Sequence, residues 1–193
     1  MNPDSFQITV LSADPGFASF GYAIVGTAFG ADTVREMGVF STEPTKHKGL
    51  LKSEDSFARL RELGGKIGNL ATTYKVDALC FESLSIPQIT SKQNAIKIGY
   101  PYGILGMLAV VMSIPVIQVT PQAVKKALCG RNNASKEEVQ TELELRFRSD
   151  VHYGVRQFQE SCPQSKRNHA WDALGVYVAA GQTDVMKALK VRR

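Results

Sequence analysis

Cysteine is scarce in this chain: three among 193 residues, Cys80, Cys129 and Cys162, far apart and with no Cys-x-x-Cys pair. Such an odd, scattered set argues against a disulfide framework or a cysteine-based zinc site and fits a reducing compartment. Long apolar runs are missing as well. The longest, Gly103 to Val119, is broken by Gly106, Ser113 and Pro115, so it reads as a core helix followed by a core strand, and no membrane span is expected. The first residues carry Asp4 and no apolar segment behind basic ones, so no secretory signal is expected and a cytoplasmic location is. Internal repeats and low-complexity segments are also absent. An excess of charge of either sign is missing up to Thr120, where 10 Lys/Arg face 10 Asp/Glu; from Pro121 onward the ratio is 13 to 8, and the whole net charge of +5 lies there. A basic last third suits a polyanionic partner such as nucleic acid, although solubilising surface charge has the same composition.

What is present fits one domain over residues 1–193, with a core from about 8 to 181 and a basic C-terminal tail at 182–193. Ile8–Ala13, Phe20–Val25 and Val34–Ser41 read as three strands of an antiparallel meander, with Gly30-Ala31-Asp32 as a turn signal. A helix opens at Ser53, with Phe57, Leu60, Leu63, Ile67, Leu70 and Tyr74 at helical spacing, and Gly64, Gly65 and Gly68 suggest close packing on a sheet. Val76–Phe81 is a short strand ending at Glu82. The capping box Thr90-Ser91-Lys92-Gln93 starts a helix to Met112, which Pro101 is expected to kink or split near Tyr100. Pro115–Val119 is the next strand. A short helix covers Gln122–Leu128, a basic loop holds Arg131, and a second capping box, Ser135 to Glu138, starts a helix with Val139, Leu143 and Phe147 on one face. Ser149–Arg167 shows no period and is expected to be irregular. Asn168 caps a last helix, His169–Ala180, that stops at Gly181. Three strands followed by alternating helices and strands make an α/β pattern around a mixed sheet.

Three acidic residues stand out. Asp14 and Glu82 each end a core strand, where a carboxylate is costly unless paired or bound to a metal. Asp172 is expected in the first turn of the last helix, and His169, three residues before it, shares its face. Clustered carboxylates repel one another unless hard cations neutralise them, and oxygen donors select Mg²⁺ or Mn²⁺. Two such ions roughly 3.5–4 Å apart can drive phosphodiester hydrolysis. Taken singly, each residue also has an ordinary explanation: Asp14 as a turn cap, Glu82 as a surface residue, His169 as an exposed one and Asp172 as a partner of the helix dipole.

In order along residues 8–180, Asp14-Pro-Gly-x-x-x-x-Gly21, Ala78-Leu-Cys-Phe-Glu82, Ala95–Gly99 with Tyr102-Gly103, Val124–Val139, and His169-Ala-Trp-Asp-Ala-Leu174 resemble the motifs of the RuvC family of Holliday-junction resolvases. The resemblance implies an RNase H-like α/β fold, a mixed five-stranded sheet flanked by helices. It also implies a homodimer formed through the helix ending at Met112, four-way DNA as substrate, and paired nicking that uses Mg²⁺ or Mn²⁺, two ions to a site. Asp14, Glu82, His169 and Asp172 take the metal-holding and catalytic positions, with Lys136 a further catalytic residue. Lys125, Lys126, Arg131, Lys136 and Lys92 are the expected DNA-contacting cations. A branch-migration helicase is an expected partner, and nucleoid DNA, or that of a host cell, the expected place of action. Two departures are visible. His169 stands where Asp is frequent, and Ser83-Leu-Ser-Ile-Pro87 lacks the family's aromatic, leaving Leu84 or Ile86 as an apolar wedge. The alternatives are another RNase H-like nuclease acting on other branched DNA or structured RNA, and a junction-binding protein without catalysis.

Overall fold

Nearly continuous burial along the first two strands builds a sheet with two covered faces. The computed structural model describes residues 7–45, 49, 51–84 and 92–191. Strands β1 (Ile8–Asp14), β2 (Ser19–Ala28) and β3 (Ala31–Ser41) form the antiparallel meander, and β4 (Ala78–Glu82) and β5 (Val116–Val119) continue it in parallel, in the order β3-β2-β1-β4-β5. The β2–β3 turn is the pair Phe29-Gly30, both with positive φ (51° and 77°), one step before the expected signal. Positive φ at both turn residues matches the twist of a two-residue hairpin.

Because successive side chains point to opposite faces, Ile8 and Val10 join one core with Cys80, while Leu11, Ala13, Leu79 and Phe81 join the other. Helices α1 (Lys52–Thr73) and α2 (Lys92–Met112) supply the second core. The first is closed by α3 (Pro121–Cys129), α4 (Lys136–Arg146) and α6 (Arg167–Ala180), and α6 brings Trp171, Leu174 and Tyr177 inward as its spacing requires.

Several expectations change. The stretch 149–167 is ordered: α5 (Tyr153–Ser161) packs along β3 through Val155 and Phe158, and a 3₁₀ turn (Gln164–Lys166) leads into α6. Gly154 permits the approach, since a Cβ there would lie 2.7 Å from the Arg35 carbonyl carbon. Residues 184–191 form α7, docked by the buried Met186 and by Lys190, whose Nζ is 2.9 Å from Asp32 Oδ1. Helix α6 begins at Arg167 without an Asn168 cap, because the 3₁₀ turn leads straight into it; Asp172 therefore sits in its second turn. On α1, Phe57 is exposed while Ser56 and Arg59 are buried, and a Cβ added at Gly64 would meet Ile104 of α2 instead of the sheet.

Helix α2 runs unbroken through Pro101. By length and composition Asn94–Met112 could cross a membrane, but its face bearing Leu105 and Ala109 is buried against α1 and the sheet. The opposite face is not core at all: Met107, Val110 and Val111 are 64%, 74% and 72% exposed.

The cover over β3 contains a pH-sensitive contact. Buried His152 accepts the Val34 N–H at Nδ1 (3.3 Å), which requires a neutral ring, and burial pushes its imidazole below the ordinary value of 6.5. In the range below 6.5 the unfolded chain holds a proton that the fold resists, so the stabilisation is complete above 6.5 and is lost as pH falls through the depressed value. The protection factor of the Val34 amide is expected to fall between pH 7 and pH 5, and urea midpoints with it, more in the native protein than in His152→Gln.

Candidate active site

Register sets the site. Ala13 pairs with Phe81, so the next residue along each strand, Asp14 and Glu82, ends neighbouring parallel strands at the same edge. Both continue the face of Ser12 and Cys80, toward α6, and Ser12 Oγ donates to the Ala173 carbonyl at 2.5 Å, fastening that helix to β1. Gly21 lies opposite Asp14 in the antiparallel pair. A Cβ on Gly21 would sit 1.9 Å from the His169 carbonyl oxygen, and one on Gly16 2.1 Å from that of Ser19. The first glycine of the motif thus permits the tight turn after Asp14, and the second lets α6 approach β2 closely enough to bring His169 over the site.

His169 Nδ1 is 2.8 Å from Asp14 Oδ2. That hydrogen bond raises the imidazole pKa above its ordinary value, against burial and with help from the Asp14 and Asp172 charges. The reciprocal capping box at Ser135 and Glu138 is formed (3.2 and 2.8 Å) and places Lys136 in the first position of α4, its Nζ 3.7 Å from Asp172 Oδ2. Burial pushes the Glu82 carboxyl up, and the Asp14 and Asp172 carboxylates push it further, against Lys136. Asp172 is also raised, by burial first, with Lys136 opposing and Asp14 adding. A pocket of about 340 Å³ is lined by Asp14, Glu82, Lys125, Lys136, His169 and Asp172.

Other expected residues lie elsewhere. Lys126 is exposed on α3, Arg131 is exposed and paired with Glu138, and Lys92 is exposed at the start of α2; none lines the pocket. Ile86 falls outside the described residues, and Leu84 is exposed just after β4. One residue near the carboxylates had no assigned role in the sequence. Tyr102 of α2 packs on Phe81, and its phenol is pushed up to about 12 by burial and then by the Glu82 and Asp14 charges. Its position three residues before buried Leu105 is the helical signal that could have placed it inward.

Among the described residues, no three acidic, histidine or cysteine side chains close on one ion-binding point as they stand, with Asp14 engaged by His169 and Asp172 by Lys136. The donor chemistry nonetheless fits a divalent cation. Carboxylates that raise one another's pKa are relieved by a hard positive charge, and carboxylate oxygens are the donors such ions take.

The family described as Crossover junction endodeoxyribonuclease RuvC matches residues 10–148. The chain belongs to the RuvC family. Its members are phosphodiester hydrolases of DNA that depend on divalent metal ions. The RuvC of Pseudothermotoga lettingae is 29% identical over 136 residues, 70% of this chain and 78% of the relative. That of Geotalea uraniireducens is 24% identical over 180 residues, 93% of this chain and 92% of the relative. Among solved structures, T. thermophilus RuvC in complex with a Holliday junction substrate superposes with a TM-score of 0.68 at 21% identity, over 89% of this chain and 92% of that one. That likeness establishes the RNase H-like RuvC fold. Asp14, Glu82 and Lys136 lie within the matched span; His169 and Asp172 follow it and reach the pocket only through the docking of α6.

Proposed function

We propose that this protein resolves four-way (Holliday) DNA junctions by metal-dependent paired nicking as a homodimer. The observation that carries this reading is the meeting of Asp14, Glu82 and Asp172 with His169, Lys125 and Lys136 in one open pocket at the sheet edge. In it, Asp14, Glu82 and Asp172 hold Mg²⁺ or Mn²⁺, two ions to a site, and His169 serves as a further ligand or a proton-transfer group through the ring nitrogen that Asp14 leaves free. Bound ions would supply Lewis acidity for attack of water on the phosphodiester and for departure of its leaving oxygen. Lys136 exchanges its long contact with Asp172 for a phosphate oxygen as DNA enters, and Lys125 meets the same backbone from α3. The exposed Met107, Val110 and Val111 of α2 supply the apolar surface that a second copy covers. The setting is nucleoid DNA in a cytoplasm, with a branch-migration helicase as the supplier of junctions.

Lys125→Ala and Lys136→Ala are each expected to lower the slope of log K against log salt for junction binding by about 1. Fluorescence anisotropy across a salt series reads this. Equal slopes in all three proteins would remove these lysines from the interface.

The reading is tested on one gel, with a synthetic four-way junction, a flap, a duplex and a structured RNA, each offered Mg²⁺ or Mn²⁺, beside light scattering of the protein. Symmetrical nicks in the junction by a dimer are expected. Cutting of the flap or RNA alone would replace this reading with another RNase H-like activity, and tight junction binding without cutting would make the protein architectural.

A further inference from the structure

Helix α2 lines no part of the acidic pocket and lies behind it, across the sheet. On the sheet face opposite the carboxylates, α2 places an aromatic ring behind each strand end. Tyr102 meets Phe81, the residue before Glu82, edge to face with centroids 5.8 Å apart and planes at 79°. Tyr100 meets Phe17, three residues after Asp14, in the same manner (5.1 Å, 67°). Phe17 and Phe81 are both buried, so a change in the packing of either ring is felt by the backbone beside it.

Phe17 is gripped from its other side too. The buried Arg59 of α1 lies over its ring, with the guanidinium carbon 4.5 Å from the centroid. Thr42 locks the arrangement: its hydroxyl donates to the Phe17 carbonyl (2.7 Å) and accepts from Arg59 Nε (3.2 Å), while its carbonyl accepts from Arg59 Nη2 (3.1 Å). A buried cation with such partners is costly to assemble, and nothing in the pocket touches it directly.

We propose that Tyr100 and Tyr102 are positioning residues, through which α2 sets the separation of the Asp14 and Glu82 carboxylates for metal binding. The rings act as fixed wedges, Tyr100 with Arg59 on the loop after Asp14 and Tyr102 on the end of β4. Both tyrosines stand on the helix whose other face is exposed.

This inference rests on the nuclease reading above. Its test measures Mn²⁺ uptake by the DNA-free protein, from the paramagnetic resonance signal of free Mn²⁺, beside single-turnover cleavage of a four-way junction. Tyr102→Leu and Tyr100→Leu are expected to weaken Mn²⁺ binding about 10-fold, the scale found when groups supporting metal ligands are removed. Junction cleavage at saturating DNA is expected to slow about 100-fold with junction affinity retained. Tyr102→Phe keeps the ring and is expected to restore both. Leucine variants that melt earlier but, while folded, bind Mn²⁺ and cut as the native protein does would make the tyrosines ordinary core and overturn the proposal. A Tyr102→Phe protein as impaired as Tyr102→Leu would also overturn it, by assigning the effect to the hydroxyl. Failure of the nuclease reading shows separately, in a native protein that takes up no Mn²⁺ and cuts no junction.

Discussion

Asp14→Asn is expected to slow junction cutting by about 1000-fold or more, the scale of losing a preorganised charge at the reacting phosphate, while junction binding stays within a factor of about two because Lys125 and Lys136 carry the phosphate contacts. The substitution is isosteric and keeps an oxygen for His169, so the fold persists. The charge that holds one side of any bound cation is gone. It also reaches His169, whose pKa is raised chiefly by the hydrogen bond to Asp14; in the variant the imidazole moves back toward its ordinary value. Single-turnover cleavage, equilibrium binding and a proton-resonance titration of His169 report the three effects independently. A variant that remains folded yet loses binding together with cutting would take Asp14 out of the metal site and make it part of the DNA interface.

The second large effect belongs to a residue with no side chain. Gly21→Ala places a carbon 1.9 Å from the His169 carbonyl oxygen, 2.3 Å from its carbonyl carbon and 2.9 Å from its Cβ. The obstructing atoms are mainly backbone of a helix whose next residues are fully buried, so α6 has to move away from β2. The expected loss is about 3 kcal/mol, at the upper end for overpacking. His169 and Asp172 move with the helix, and a displacement near 1 Å is enough to cost about 100-fold in cleavage. Gly65→Ala is the contrast: this exposed position inside α1 has nothing within 4 Å of the added carbon, and a gain of about 0.5–1 kcal/mol is expected. Urea unfolding of the two variants reads the opposite signs. A Gly21→Ala protein of native stability and activity would show that α6 has room to spare over β2.

Much of the architecture follows from short-range patterns. The apolar, β-rich stretch of β1 and the apolar run of β4 place Asp14 and Glu82 at strand ends without reference to the rest of the molecule, and the Ser135–Glu138 capping box puts Lys136 at the start of a helix because the box is a local hydrogen-bond exchange. The segment 149–167 was not legible in the same way. In α5 only Val155 and Phe158, with Gly154, are buried, and Gly154 reads as a breaker until the backbone of β3 is seen pressed against it. Helix α7 is similar, since among its eight residues Met186 alone is buried and its lysines suggested a tail, yet Lys190 reaches Asp32, 158 positions away.

The sequence by itself determined the chemical inventory of the site and its local settings: carboxylates at the ends of two strands, a glycine turn, an imidazole and a carboxylate three residues apart on one helix, and lysines on a basic segment. These are legible because apolar strand runs, helical spacing and capping act over a few residues. Tertiary structure alone decided which of them meet. It set the 2.8 Å contact between Asp14 and His169 across 155 positions, left Lys126, Arg131 and Lys92 out of the pocket, and put Tyr100 and Tyr102 behind the carboxylates. Distances between groups remote in the chain depend on how whole faces pack, and that packing is a property of the assembled core that no short stretch contains.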